Sequence, residues 1–161
     1  MGVDTGMFYK RRDYSVIVNG KNPIVAHQFL GSNIEGKDII IIDDMISSGE
    51  SMLDTARQLK GMGANRVFIC CTFGLFTNGL EGFDKAYAAG HFDKVITTNL
   101  TYLPSELYTK EYFSCADMYE FTANIIDFMN HSVSMTHVIE PAENIRALLA
   151  EHNKARENKN K

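Results

Sequence analysis

Four consecutive isoleucines, Ile39–Ile42, form the densest apolar run in this chain. All are β-branched, and the run is apolar at both parities. It therefore predicts a central parallel strand with helices over both faces. Two carboxylates, Asp43 and Asp44, follow where that strand is expected to end. Behind them Ser47-Ser48-Gly49-Glu50-Ser51 is small and polar, and then Leu53, Ala56, Leu59 and Met62 recur at helical spacing. Ser48 or Ser51 is a candidate cap for this helix, and Gly61 and Gly63 close it. Val67–Thr72 is the next buried strand, which completes a βαβ unit with an expected right-handed crossover.

Upstream, Met7-Phe8-Tyr9 predicts a short strand that runs into Lys10-Arg11-Arg12. Taken alone, three adjacent cations read as a solvated basic turn. Ser15–Val18 ends at Asn19-Gly20, a tight-turn signal, so a mobile hairpin or loop is expected there. Ile24–Leu30 is a second extended segment, and Gly31–Lys37 a polar turn. Downstream, Phe73–Gly82 predicts a loop on the same rim as the aspartates, with Thr72 and Gly74 as candidates to line a site there. A short helix over Phe83–Ala89, a strand at Lys94–Thr98, an irregular stretch around Pro104 and a short edge strand over Tyr112–Cys115 follow. Asp117 is a candidate cap for a helix whose Met118, Phe121, Ile125, Phe128 and Met129 form an apolar stripe, expected to be core. Pro141 opens a last helix carrying Ile145, Leu148 and Leu149. Glu151–Lys161 holds only Ala155 as an apolar residue and is expected to fray. Strands alternating with helices predict an α/β fold with a mainly parallel central sheet flanked by helices. The expected division is one domain over residues 1–140, then a C-terminal helix and tail over 141–161.

Composition narrows the functions available. The chain has 161 residues, enough for one domain with a core, and a formal net charge of −4, which argues against a general nucleic-acid binder. No apolar run approaches the length of a membrane span, and the first residues lack the order of a signal peptide. Cys70, Cys71 and Cys115 have no CxxC spacing and read as buried thiols in a reducing, cytoplasmic setting. The five histidines share no ligand spacing.

The chemistry is concentrated behind the isoleucines. A helix start leaves backbone N–H groups unpaired, and its dipole favours an anion. Glycine allows close approach of the backbone, and the hydroxyls of Ser47, Ser48 and Ser51 can donate to phosphate oxygens. Asp43 and Asp44 beside such a loop could accept hydrogen bonds from vicinal hydroxyls, directly or through a divalent metal. Phosphate on one side and hydroxyls on the other describe a ribose 5-phosphate moiety. Asp and Ser also serve as plain caps and turn residues, and it is their attachment to the apolar strand that favours a ligand site. The loop is neither a Walker A sequence nor a Gly-x-Gly-x-x-Gly loop.

Hydrophobic strand, acidic pair and small polar loop together resemble the phosphoribosyl-diphosphate (PRPP) motif of type I phosphoribosyltransferase-fold proteins. Within that group, Asp43–Ser51 is similar to the ribose-5-phosphate loop of the ribose-phosphate pyrophosphokinases (PRPP synthetases). Lys10-Arg11-Arg12 resembles their basic loop, and Lys60–Val67 and Thr72–Phe76 follow in the same order. The resemblance covers about Gly2 to about Asn130. It implies a magnesium-dependent transfer of diphosphate from ATP to ribose 5-phosphate, giving PRPP and AMP, in a homo-oligomer. It implies Lys10 and Arg12 as catalytic cations, and Asp43, Asp44, Ser47, Ser48, Gly49, Glu50 and Ser51 as the ribose-5-phosphate site, with Asp43 and Asp44 near the metal. Glu50 departs from the family pattern by placing a negative charge beside the phosphate. These enzymes carry two similar domains, so the chain is expected to be a C-terminal half. Its sheet is then expected to be incomplete at the N-terminus, prone to self-association, and to have little activity alone. Two other readings stay open: a phosphoribosyltransferase, and a non-catalytic phosphosugar-binding or assembly subunit of the same fold.

Overall fold

The computed structural model describes residues 3–12, 15 and 24–159, with only the backbone described at 10–12, 24–28, 137 and 156–159. The predicted turn at Asn19-Gly20 lies outside the described residues. The chain divides into two compact units, Met1–Ala116 and Asp117–Lys161.

In the first unit, β1 (Met7–Arg12) and β2 (Ile24–Leu30) pair antiparallel as a sheet of their own, with Met7 opposite Leu30 and Lys10 opposite His27. The basic triplet is therefore strand and not turn. Ladder hydrogen bonds use the main chain, and long cationic side chains do not oppose them at a sheet edge. The rings of Phe8 and Phe29 lie 5.2 Å apart and pack against the main core.

The main sheet contains β3 (Ile39–Ile46), β4 (Val67–Gly74), β5 (Lys94–Thr98) and β6 (Phe113–Ala116), all parallel and in that spatial order. Two crossovers carry helices, α1 (Glu50–Gly61) and α2 (Glu81–Ala88), and the last carries a 3-10 turn over Ser105–Thr109. Met52, Ala56 and Leu59 of α1 and Phe83 and Ala86 of α2 are buried with Val67, Ile69 and Val95 of the strands. The predicted alternation of strands and helices is thus found, and with it the α/β class.

Three features of the isoleucine strand differ from expectation. Among the described residues β3 is an edge strand, with only β4 beside it. Ile39 and Ile41 pack against the core, while Ile40 is 59% and Ile42 79% exposed, so one face of the run is covered and the other is not. The strand also continues past the isoleucines. Met45 pairs with Phe73 and Ile46 with Gly74, so Asp43 and Asp44 sit inside the strand and not after it. The ladder is blind to side-chain charge where the side chains reach water, and both aspartates are exposed. Met62, expected on the helical stripe, lies past the end of α1 and is 42% exposed, and Met52 is buried instead.

Charged clamps close two joints. Asp38, ahead of β3, accepts from Asn65 (2.8 Å) and Arg66 (2.5 Å) ahead of β4. The Arg66 hydrogen bond holds the Asp38 carboxyl below its usual range. Asp84 of α2 accepts from Lys110 (2.9 Å) and from the Tyr112 hydroxyl (2.9 Å), which fastens α2 to the segment before β6. Lys110 lowers the Asp84 carboxyl, while burial, and then Asp84 itself, push the Tyr112 phenol well up.

The second unit contains α3 (Tyr119–Asn130), the short α4 (Thr136–Ile139) and α5 (Ala142–Lys159). The cap of α3 is Met118 and not the expected Asp117, which stands one residue earlier and accepts from the Tyr119 amide at 2.9 Å. The apolar stripe is not core, however. No residue of α3 is buried; Ile125 and Phe128 are half-buried, and Phe121 (37%) and Met129 (66%) are exposed. Amphipathic spacing specifies a face but not that something covers it. Ile145, Leu148 and Leu149 of α5 are exposed as well. Helix runs on to Lys159 where fraying is expected, since Glu, Lys, Arg and Ala are good helix formers even without burial. Among the described residues no helix is long and apolar enough to cross a membrane.

Candidate functional site

The carboxyl ends of parallel strands share one rim, so the segments after β3, β4 and β5 converge there. Asp43 and Asp44 approach this rim on β3. The Asp44 amide donates to Asp43 Oδ1 at 2.9 Å, which fixes one carboxylate against its neighbour's backbone. Asp43 lies across the ladder from Cys71, a buried residue. Burial raises the Cys71 thiol, and the two aspartates raise it further, so it stays protonated and unreactive. Burial likewise raises Cys70.

The chain then turns through Ser47, Ser48 and Gly49 into α1. The helix cap is Gly49, not a serine, and its backbone is left-handed, with φ 84°. A side chain is disfavoured there twice over, because the conformation suits glycine and a Cβ would overlap the ring of Phe83. Ser48 Oγ accepts from the Glu50 amide at a long 3.5 Å. The first rung of the helical ladder runs from the Leu53 amide to the Gly49 carbonyl (2.9 Å), so the amides of residues 50–52 lie ahead of the ladder at the positive end of the helix. Ser47, Glu50 and Ser51 are exposed, and Ser48 is half-buried. Glu50 is the acidic residue of the first turn, where it favours the helix and competes with any anion for the same dipole.

The segment after β4 braces this loop. The Leu75 amide donates to the Ile46 carbonyl (2.8 Å), and the Thr77 amide to that of Ser47 (3.0 Å). Thr72 is exposed near the rim, and its carbonyl accepts from the Thr98 hydroxyl at 2.6 Å. Gly74 is buried, because a Cβ there would meet Phe76 at 2.6 Å and Thr97 at 3.0 Å. The bracing role of Thr77 and the seats made by Phe76 and Phe83 were not legible in the sequence. The loop expected over Phe73–Gly82 is confined to residues 75–80, because β4 runs on to Gly74 and α2 starts at Glu81, and which backbone it would bond was not legible.

The structure thus brings Asp43, Asp44 and the Ser47–Ser51 loop together at consecutive positions around one strand end. Lys10 and Arg12 have their backbone on β1, in the other sheet, and their side chains lie outside what is described. Among the described residues no three His, Cys, Asp or Glu side chains gather as a metal cage. Asp43 and Asp44 are exposed hard oxygen donors of the kind magnesium takes, but as successive residues of one strand they leave on opposite faces, so an ion that keeps most of its water would be held directly by one of them.

A ribose-phosphate pyrophosphokinase from Synechococcus elongatus is 32% identical over 74 residues, 46% of this chain and 22% of that protein. An orotate phosphoribosyltransferase from Oceanobacillus iheyensis is 36% identical over 62 residues, 38% of this chain and 29% of that protein. The matched stretches thus span under a third of either relative. In fold, the chain is similar to the crystal structure of phosphoribosylpyrophosphate synthetase from Mycobacterium smegmatis, with a TM-score of 0.58 at 21% identity over 66% of this chain and 34% of that one. The family profile described as the phosphoribosyl synthetase-associated domain matches residues 14–140, most of the chain, and the chain belongs to that family.

Proposed function

We propose that the rim of the main sheet binds ribose 5-phosphate, and that the chain serves as the phosphopentose-binding part of a ribose-phosphate diphosphokinase. The observation that carries this reading is the order of groups around one strand end: two exposed carboxylates on β3, then a left-handed glycine turn, then the start of α1. The first-turn amides and the hydroxyls of Ser47, Ser48 and Ser51 hold the 5-phosphate. Asp43 and Asp44 accept from the ring hydroxyls. Thr72 lines the rim, and Gly74 keeps the adjoining segment close.

In the reaction, the anomeric hydroxyl of ribose 5-phosphate attacks the β-phosphorus of ATP. The bond from that phosphorus to the α,β-bridging oxygen breaks, AMP leaves, and the hydroxyl loses its proton. Magnesium, near Asp43 and Asp44, would neutralise charge on the diphosphate. Lys10 and Arg12 stabilise the charge that builds up on the group in transit, a contribution of about a thousandfold in rate for such cations. A cytoplasmic homo-oligomer is the expected setting.

Calorimetry of the chain with ribose 5-phosphate is the direct test. Binding that Asp43→Ala weakens and Lys10→Ala spares supports the assigned roles. Equal losses in the two variants would show them to be misassigned, and no binding at all would leave an assembly subunit. The likeness to an orotate phosphoribosyltransferase favours a second reading, transfer of the phosphoribosyl group with pyrophosphate leaving. Synergistic binding of PRPP with a nucleobase, and release of pyrophosphate, would establish it in place of the first.

A further inference from the structure

We infer that Phe83, on α2, is a positioning residue for the Ser47–Ser51 loop and acts through Gly49, an inference that rests on the phosphopentose reading above. Gly49 is buried against the Phe83 ring, where a Cβ would overlap Cε2 and Cζ. Phe83 is fully buried and meets Phe76 edge-on, with ring centroids 5.2 Å apart and planes at 72°. Phe76 is buried and holds a left-handed φ of 46°, a conformation costly for a residue with a side chain and kept only where its surroundings enforce it. The surroundings here include Gly74, which leaves room for the Phe76 ring.

The residues flanking Phe76 reach back to the loop, Leu75 to the Ile46 carbonyl at 2.8 Å and Thr77 to the Ser47 carbonyl at 3.0 Å. The loop is therefore seated on one ring and laced at its side by the strained segment that a second ring fixes. Hydrogen bonds from amides to phosphate weaken steeply with misalignment, so the seat sets phosphate affinity without touching the ligand.

The test compares two leucine substitutions in the full chain. Phe83→Leu removes Cε2 and Cζ, the ring atoms nearest Gly49. Phe92→Leu makes the same change in a ring that is also buried (2% exposed) and packs on Phe83 at 6.3 Å. Ribose 5-phosphate affinity is read by NMR titration, at a temperature where both variants are folded. Phe83→Leu is expected to lower it at least fivefold and Phe92→Leu less than twofold. Amide exchange at Leu75 and Thr77, which needs no ligand, is expected to quicken in Phe83→Leu alone. Gly49→Ala is expected to weaken binding on its own and to lose less in the Phe83→Leu background, because the atoms it would strike are gone. Equal losses in the two leucine variants would overturn the inference while leaving the phosphopentose reading in place. No binding by the wild-type chain would overturn both.

Discussion

Asp43 and Glu50 bracket the loop with charges of the same sign and should respond to substitution in opposite ways. If Asp43 accepts hydrogen bonds from a pentose, Asp43→Ala removes charged hydrogen bonds worth about 1.5–3 kcal/mol, so ribose 5-phosphate should bind at least tenfold more weakly in calorimetry. Glu50 sits in the first turn of α1, where a carboxylate and a phosphate compete for one dipole. Glu50→Gln is therefore expected to raise phosphate affinity two- to fivefold, about 0.5–1 kcal/mol, most visibly at low salt. Unchanged affinity in that variant would mean that the phosphate does not lie at the helix start. At this scale the sequence conveys residue types but not their seats. Gly49 reads as permission for a ligand to come close, whereas the structure shows it filled from behind by Phe83. The contact joins residues far apart in sequence, so no local pattern could reveal it.

The joints between elements give the pH dependence of stability. Asp84 holds Lys110 and Tyr112, and Lys110 lowers its carboxyl from the ordinary 3.8. A lowered carboxyl contributes stability above its unfolded value, and that stability is lost as pH falls through the folded value. Tyr112 is raised above its ordinary 10.0, first by burial, so its contribution is present below pH 10.0 and is lost as pH rises beyond it. The clamp thus acts fully between about pH 4 and pH 10. Asp84→Asn should lower Tm near neutral pH and flatten the acid limb of the Tm profile. A parallel downward shift at every pH would assign the loss to packing instead. The elements themselves were largely legible, since β2 and β5 fall where the apolar runs predict them. Their ends were less so. β3 runs through Asp43 and Asp44 because main-chain pairing with β4 outlasts the apolar side chains. The serines expected to cap α1 gave way to a glycine because the turn needs a positive φ.

Over the whole molecule, the difference between the two faces of the main sheet decides which isoleucines matter. Ile69 is fully buried and Ile42 is 79% exposed, although both sit in strands of high apolar content. Ile69→Ala is expected to cost about 2–4 kcal/mol in urea denaturation and Ile42→Ser less than about 0.5. Similar losses at the two sites would mean that the open face is covered in solution. The fold class was legible from the alternation of strands and helices, but the position of β3 at an edge among the described residues was not. A doubly apolar run records what a strand can bury, not what lies beside it. The all-parallel pairing has a kinetic corollary. Ile39 meets Val67, Phe68 meets Lys94 and Val95 meets Phe113, so no rung of the main sheet joins neighbours in the sequence. No hairpin can seed it, and each connecting loop must close before any pairing rewards the closure. Refolding by dilution from urea should therefore take milliseconds to seconds rather than the microseconds of a helical bundle, and its yield should fall as the protein is concentrated, because bare strands wait in solution for their partners.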